Sequence, residues 1–348
     1  MENRIKVKFG GIKLLTGGSC LVNSARGGEF RLGHQVTGPL AENKLNLTFL
    51  THVAGDRTSL CTTDALGEGT LALLRGVAGS EDAFQYQKDI SLLAVYPHDK
   101  VAKNIGAFIH ALAESKTRIF GLASSLSAIT TIIETRRQEK VVNRLFEDFE
   151  FTSFATAQDF FTAQEYPEEY VRKAVATYQE KVIKVYWVLP YPDLDLWAAS
   201  IPSAAILGDV ADVLIKFGDL GLTMPFLIAI PRLRTDELLI GFSTAHPQGA
   251  KDQGSEIRRL LSEHIPGIRP MRLTPVAGIF LHGPHFGDRY GIANTLVEAL
   301  EQAHVSILAL SCTISSISVI IRQQELAPAL VVLSQKFEGP VSEPLYGV

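Results

Sequence analysis

The 348 residues carry 33 Lys and Arg against 37 Asp and Glu, a net charge of -4, so no global attraction to nucleic acid or to an anionic membrane is expected. Hydrophobic residues make up 46% and charged residues 20%, which is material for two or more domains with real cores. Apolar runs such as Phe226 to Ile230 are too short to cross a bilayer, the first residues lack a signal-peptide stretch, and Cys20, Cys61 and Cys312 form no C-x-x-C pair. A cytoplasmic protein with no metal site and no cofactor is expected, and its cysteines read as small core residues.

In chain order, Cys20 to Asn23 reads as a strand, Phe30 to Leu40 as a helix, and Leu45 to Ala54 with Thr58 to Thr63 as a hairpin across Gly55-Asp56. Leu66 to Arg75 reads as a second helix. Ile90 to Tyr96 is an apolar strand, and Val101, Ile105, Phe108, Ile109 and Leu112 then form one buried helical stripe. Arg118 to Ala123 and Ala128 to Ile133 follow as a hairpin, and a charged helix carries Val141, Val142, Leu145 and Phe146. In the stretch 152–181, Pro167 suits a first helical turn, Glu168-Glu169 complement its positive end, and Val171, Ala174, Val175 and Tyr178 give a linker helix one apolar stripe.

The second half repeats the order. Ile206, Val210, Val213, Leu214 and Phe217 reproduce the spacing of the stripe at 101–112, Leu222 to Ile230 and Leu238 to Thr244 form a hairpin, and Ser255 to His264 is a closing helix. Pro275 to Phe337 then reads as strand, helix (Ala293, Leu296, Val297, Leu300), hairpin and helix (Leu330, Val331, Leu333). Ala111-Leu112 recurs as Ala299-Leu300, Ile119 as Ile307, Ile132-Ile133 as Ile320-Ile321 and Phe149-Glu150 as Phe337-Glu338, always 188 positions later. Apolar periodicity alone does not hold the gaps constant, so a copied β-α-β-β-α unit is expected.

Such a unit, in tandem, resembles the ACT domain, and several stretches are similar to the regulatory region of aspartokinases. These are Ile268-Arg269-Pro270, His282-Gly283-Pro284, the loop Asp288-Arg289-Tyr290-Gly291-Ile292-Ala293 opening a helix, and the strand Ser315-Ser316-Ile317-Ser318-Val319-Ile320-Ile321. Lys8-Phe9-Gly10-Gly11 is similar to the opening strand of the aspartokinase catalytic domain but leads into regulatory-type units. The resemblance implies an α+β fold of four ferredoxin-like (βαββαβ) ACT-type units in two tandem pairs: 12–88 and 89–151, then 182–268 and 269–340, with 152–181 as a linker.

A Gly-containing loop entering a helix presents backbone N–H groups to a carboxylate, and a nearby Asp or carbonyl takes the ammonium. Asp288, Tyr290, Gly291, Ile292, Ala293 and Asn294 are the candidate site, with Ser311 and Thr313 from the neighbouring strand. Asp288 equally suits a helix cap, and strand-end serines equally suit turns. Asp193 or Asp195, in Tyr191-Pro192-Asp193-Leu194-Asp195, occupies the corresponding loop of the preceding unit, where a solvated turn is the other reading. His282, His285 and His98 lack further ligands at matching spacing, and Cys312 lacks an evident base, so no catalytic residue is assigned.

The expected protein is a non-catalytic regulatory sensor that binds a small amino-acid effector at clefts between units, as a monomer or homodimer with a possible enzyme partner. The alternatives are a structural adaptor docking on a separate enzyme and an aspartokinase-related enzyme subunit.

Overall fold

A computed structural model describes residues 6–23, 31–54, 57–164, 182–202, 207–232, 237–245, 253–283 and 289–342. The expected linker helix at Val171, Ala174, Val175 and Tyr178 lies outside them, as do Gly55, Asp56, His285 and Asp288.

The first half runs β1 (Val7–Phe9), β2 (Gly11–Asn23), a π-helical turn (Gly33–Thr37), α1 (Gly38–Glu42), β3 (Phe49–Val53), β4 (Arg57–Thr63), α2 (Asp64–Ala78), β5 (Phe84–Tyr96), α3 (Ala102–Glu114), β6 (Ile119–Ser124), β7 (Ile129–Glu134), α4 (Gln138–Asp148), β8 (Phe149–Phe151) and α5 (Ala157–Gln164). The second half runs β9 (Ile183–Lys184), β10 (Trp187–Pro202), α6 (Leu207–Asp219), β11 (Thr223–Arg232), β12 (Glu237–Ala245), α7 (Gly254–His264), β13 (Met271–His282), α8 (Ile292–Gln302), β14 (Ala309–Cys312), β15 (Ser316–Arg322), α9 (Leu326–Ser334) and β16 (Phe337–Glu338). The expected helix over 30–40 is therefore a π-helical turn plus a short α-helix, and α5 occupies part of the stretch expected as linker.

The result is a mixed α/β fold on a large antiparallel sheet that closes on itself in the order β10-β12-β11-β6-β7-β5-β2-β4-β3-β14-β15-β13. Closure depends on two long-range pairings. Strand β6 lies against β11 through Leu122↔Ala229 to Ser124↔Leu227, and β14 lies against β3 through Ala309↔Val53 to Cys312↔Leu50. Backbone groups that would be exposed edges are thereby paired within the chain.

Side-chain alternation divides the strands between three cores. Cys20, Phe49, Leu92, Phe120, Ile132, Phe226, Ile228, Phe280 and Ile320 point into the closed sheet. Leu93, Val95, Ile133, Trp197, Leu227, Ile240 and Phe242 point outward under α3, α4, α6 and α7, and Leu21, Leu50, Ile279, Leu281, Leu310 and Val319 point outward under the second helical layer, which includes α8 and α9. Strands buried on both faces explain why Phe226 to Ile230 is continuously apolar.

Short parallel pairs lie at the periphery. In β1, Val7↔Phe149 and Phe9↔Phe151 match β8, and Ile183↔Phe337 joins β9 to β16. Phe9 is buried, with its ring 5.0 Å from that of Phe149 and 6.1 Å from that of Phe151, so Lys8-Phe9-Gly10-Gly11 supplies an aromatic anchor here.

Candidate functional site

Helix α8 is capped by Gly291, which sits just before it in the left-handed region at φ 83°. A β-carbon in that conformation costs about 1–2 kcal/mol, so glycine suits the turn. Both the N–H and the hydroxyl of Thr295 donate to the Gly291 carbonyl, at 2.9 and 3.0 Å, which fixes the turn against the helix. The first-turn N–H groups of a helix have no intrahelical partners, and here they belong to the residues that follow Gly291.

Facing this turn is a segment from the other end of the sequence. Thr37, Leu40, Ala41, Leu45, Asn46 and Leu47 line one wall of a cleft, and Arg289, Gly291, Ile292, Ala293, Asn294 and Cys312 line the other. Its space is about 300 Å³ when the part open to solvent is counted, but only about 20 Å³ admits a water-sized sphere, so the walls must part to take a small metabolite. Two hydrogen bonds tie the walls together. The Thr37 hydroxyl donates to Asn294 Oδ1 at 2.9 Å, and the Gly33 N–H donates to Glu301 Oε1 at 3.3 Å. Asn294 Nδ2 donates to Glu298 Oε1 at 2.8 Å, which fixes the orientation of the amide.

Cys312 closes the cleft from β14. Burial pushes its thiol up to about 12, so it is neutral near pH 7 and acts as a small apolar surface. Burial raises the Cys61 thiol as well, with the neighbouring Cys20 adding to the shift, and all three cysteines are free.

Of the residues proposed from sequence, Gly291, Ile292, Ala293 and Asn294 come together in the cleft, while Tyr290 is half-buried just before them. Ser311 does not join them, because strand alternation turns it to the opposite face from Cys312. There it extends a row of directly opposed hydroxyl residues, Ser59, Thr51, Ser311 and Ser318, across four strands. Thr313 is spent on the β14–β15 turn, its N–H donating to the Ser316 carbonyl at 2.9 Å and its hydroxyl lying 3.0 Å from that of Ser316. Asp193 is far along the sheet, in a bulge of β10 at φ 56°; its N–H donates to Gln323 Oε1 at 3.0 Å. Asp195 is buried and accepts from Arg272 Nε at 3.0 Å, with Nη2 at 2.7 Å, so its charge is met by a guanidinium.

Sequence reasoning missed Thr37, Leu40, Asn46 and Leu47 because nothing local ties them to a turn some 250 positions later. It missed Cys312 as a lining residue because the side chain's face depends on the register of β14 against β3.

His98 and His282 both serve the fold. His98 is fully buried; the Lys100 N–H donates to Nδ1 at 3.1 Å, which leaves Nε2–H to donate to the Ser125 carbonyl at 2.9 Å. Burial pushes it down to about 4, so it is neutral. The ring of His282 stacks on Trp187 with centroids 5.4 Å apart, and burial lowers its pKa. Among the described residues no three His, Cys, Asp or Glu side chains gather as metal ligands, and no helix is long and apolar enough to cross a membrane.

Residues 275–335 match the sequence model of the ACT domain. No curated protein sequence matches the chain. Among solved structures, the aspartate kinase from Synechocystis is similar over 96% of this chain and 56% of its own, with a TM-score of 0.76 and 14% identity. The regulatory subunit of aspartate kinase from Thermus thermophilus, in its ligand-free form, matches 44% of this chain and 99% of its own, with a TM-score of 0.38 and 20% identity. The chain thus spans about half the length of the Synechocystis enzyme.

This corrects the expectation of a non-enzyme resembling only a regulatory region, since 96% of the chain is similar in fold to 56% of an aspartate kinase. At 14% identity the likeness shows fold alone. The chain is similar in fold to an aspartate kinase over almost its entire length and carries an ACT-domain match at residues 275–335.

Proposed function

We propose that the chain is a part or subunit of an aspartokinase-related enzyme, in which it binds an amino-acid effector in the cleft between residues 37–47 and 289–294. One observation carries this reading: a turn with a left-handed glycine opens a helix onto a cleft whose far wall comes from a distant part of the chain. The N–H groups of the turn and the charge of Arg289 suit a carboxylate, and Thr37, Asn46 and Asn294 offer polar partners. Leu40, Leu47, Ile292 and the neutral Cys312 suit a short apolar side chain. Asp288, next to this turn in sequence, is the proposed partner for the ammonium. Because the walls belong to different segments, a ligand touching both favours the arrangement that closes them, by no more than its difference in affinity for the two arrangements.

Within this reading the chain is four ACT-like units, 12–88, 89–151, 182–268 and 269–340, joined through 152–181 and related by copying. In support, the 3-10 turns at Thr135–Arg137 and Gln323–Glu325 and the strands starting at Phe149 and Phe337 fall 188 positions apart. Internal pairing of β3 with β14 and β6 with β11 favours a monomer or homodimer, and three reduced, buried thiols suit the cytoplasm.

Thermal unfolding against each of the twenty amino acids at millimolar concentration tests the proposal, alongside phosphoryl transfer from ATP to aspartate by the purified chain. Stabilisation by one or a few amino acids supports it, with about 2.7 kcal/mol expected at a hundredfold excess over Kd. A flat panel overturns the effector reading.

A further inference from the structure

The closed sheet brings helices together at two seams. In one, α8 meets the π-helical turn and α1; in the other, α3 meets α6. Residues 104–114 and 292–302 align at the constant separation of 188, which places Gly106 in register with Asn294 and Ala113 in register with Glu301.

The two seams are built differently at those positions. A β-carbon on Gly106 would lie 2.8 Å from the Ala211 carbonyl oxygen and 2.9 Å from the Ile215 nitrogen, so α6 lies directly on the backbone of α3. A β-carbon on Gly218 of α6 would lie 2.6 Å from the Lys103 β-carbon, so the close approach is reciprocal. Beyond the helices the same seam is closed by backbone: the Met224 N–H donates to the Lys100 carbonyl at 2.8 Å, and Val101 bridges Thr223. At the other seam, Asn294 stands where Gly106 does, and its side chain spans the gap to Thr37. Glu301, standing where Ala113 does, reaches the Gly33 N–H. Two polar side chains thus cross this seam, and the cleft lies beside them.

We propose that the chain has one effector site instead of two equivalent ones, and that position 106/294 decides this. Asn294 joins its seam through a side chain, a contact that can part to admit a ligand, whereas Gly106 lets the α3–α6 seam close backbone on backbone and serve as a fixed pivot. Asn294 is therefore a positioning residue for the cleft as well as part of its wall. The inference rests on the effector reading above and adds to it the number of sites and the residue that sets it.

Two measurements on the full chain test it. In the ligand-free protein, hydrogen exchange is expected to be slower over 102–112 and 210–217 than over 37–47 and 291–296; equal protection of the two seams would overturn the proposal whether or not any amino acid binds. Calorimetric titration with each amino acid that raises the unfolding temperature is expected to give one equivalent per chain, with new exchange protection confined to 37–47 and 289–312. Two equivalents, or protection at 98–112 and 207–224, would overturn it. Asn294→Gly is expected to weaken binding by at least tenfold, the loss expected from about 1.4 kcal/mol of hydrogen bonding. If Asn294→Gly fails to fold, Asn294→Ala provides the same comparison, and undiminished binding in either variant counts against the proposal. Absence of binding by all twenty amino acids would remove the effector reading, while the exchange comparison would still report on the pivot.

Discussion

The hydroxyl of Thr37 donates to Oδ1 of Asn294 at 2.9 Å, joining residues 257 positions apart across the mouth of the cleft. Thr37 is buried, so replacing it with Val removes one neutral hydrogen bond at nearly constant shape, with an expected stability loss of about 0.5–1.5 kcal/mol. Affinity for the stabilising amino acid should fall several-fold with it. Chemical denaturation and calorimetry on Thr37→Val measure both, and an unchanged affinity would mean that this contact is structural only.

Gly291 permits a clean separation of strain from crowding. A β-carbon there would meet only the Ala41 β-carbon, at 3.8 Å, which is ordinary contact, so Gly291→Ala tests the left-handed backbone alone. The expected cost is about 1–2 kcal/mol in unfolding free energy, with weaker amino-acid binding as the turn relaxes. A variant as stable as the parent would show that the turn is not held in this conformation.

Removal of the guanidinium from Asp195 should be severe. Arg272 holds that carboxylate with only 3% of the aspartate side chain exposed, and its guanidinium carbon lies 5.5 Å from the Trp197 ring centroid. Arg272→Ala leaves a buried charge without this partner, at an expected cost of about 3–5 kcal/mol, whereas replacing both residues by apolar ones of similar size should cost much less. Denaturant unfolding of the single and double variants decides between them. A single variant within about 1 kcal/mol of the parent would show that the pair is dispensable.

His98 predicts a pH dependence with a definite sign. Its folded value near 4 lies below the ordinary 6.5, so between these the unfolded chain binds the extra proton. Stability is then full above about pH 6.5 and falls as the pH drops towards 4, by up to roughly 3 kcal/mol for this one group. His98→Gln should flatten that part of the stability profile. A parent profile level between pH 6.5 and 4.5 would contradict the buried neutral ring.

The stripe Ile105, Phe108, Ile109 and Leu112 and its counterpart Ala293, Leu296, Val297 and Leu300 were legible because each lies on one face of a helix over one apolar core, whereas Val101, read as part of the first stripe, is exposed and precedes the helix in extended backbone. The hairpins at 119–134 and 223–245 were legible for a similar reason, being buried on both faces. The long strands were not. Expected only at Cys20 to Asn23, β2 begins at Gly11, and bulges between Leu15 and Gly18 and between Gly18 and Cys20 break its alternation. Strand β5 was read from Ile90, yet it begins at Phe84, because Gln85 to Asp89 lie on a partly exposed stretch paired on one side only. Sheet closure through Cys312↔Leu50 and Leu227↔Ser124 joins segments with no local signal for each other, so half of the cleft was invisible in sequence.

The most direct measurement is the crystal structure of the chain with the amino acid that most raises its unfolding temperature. Density is expected against Gly291 to Asn294 on one side and Thr37 to Leu47 on the other, with the ligand carboxylate at the turn. Density at another place on the chain, with this cleft empty, would contradict the account.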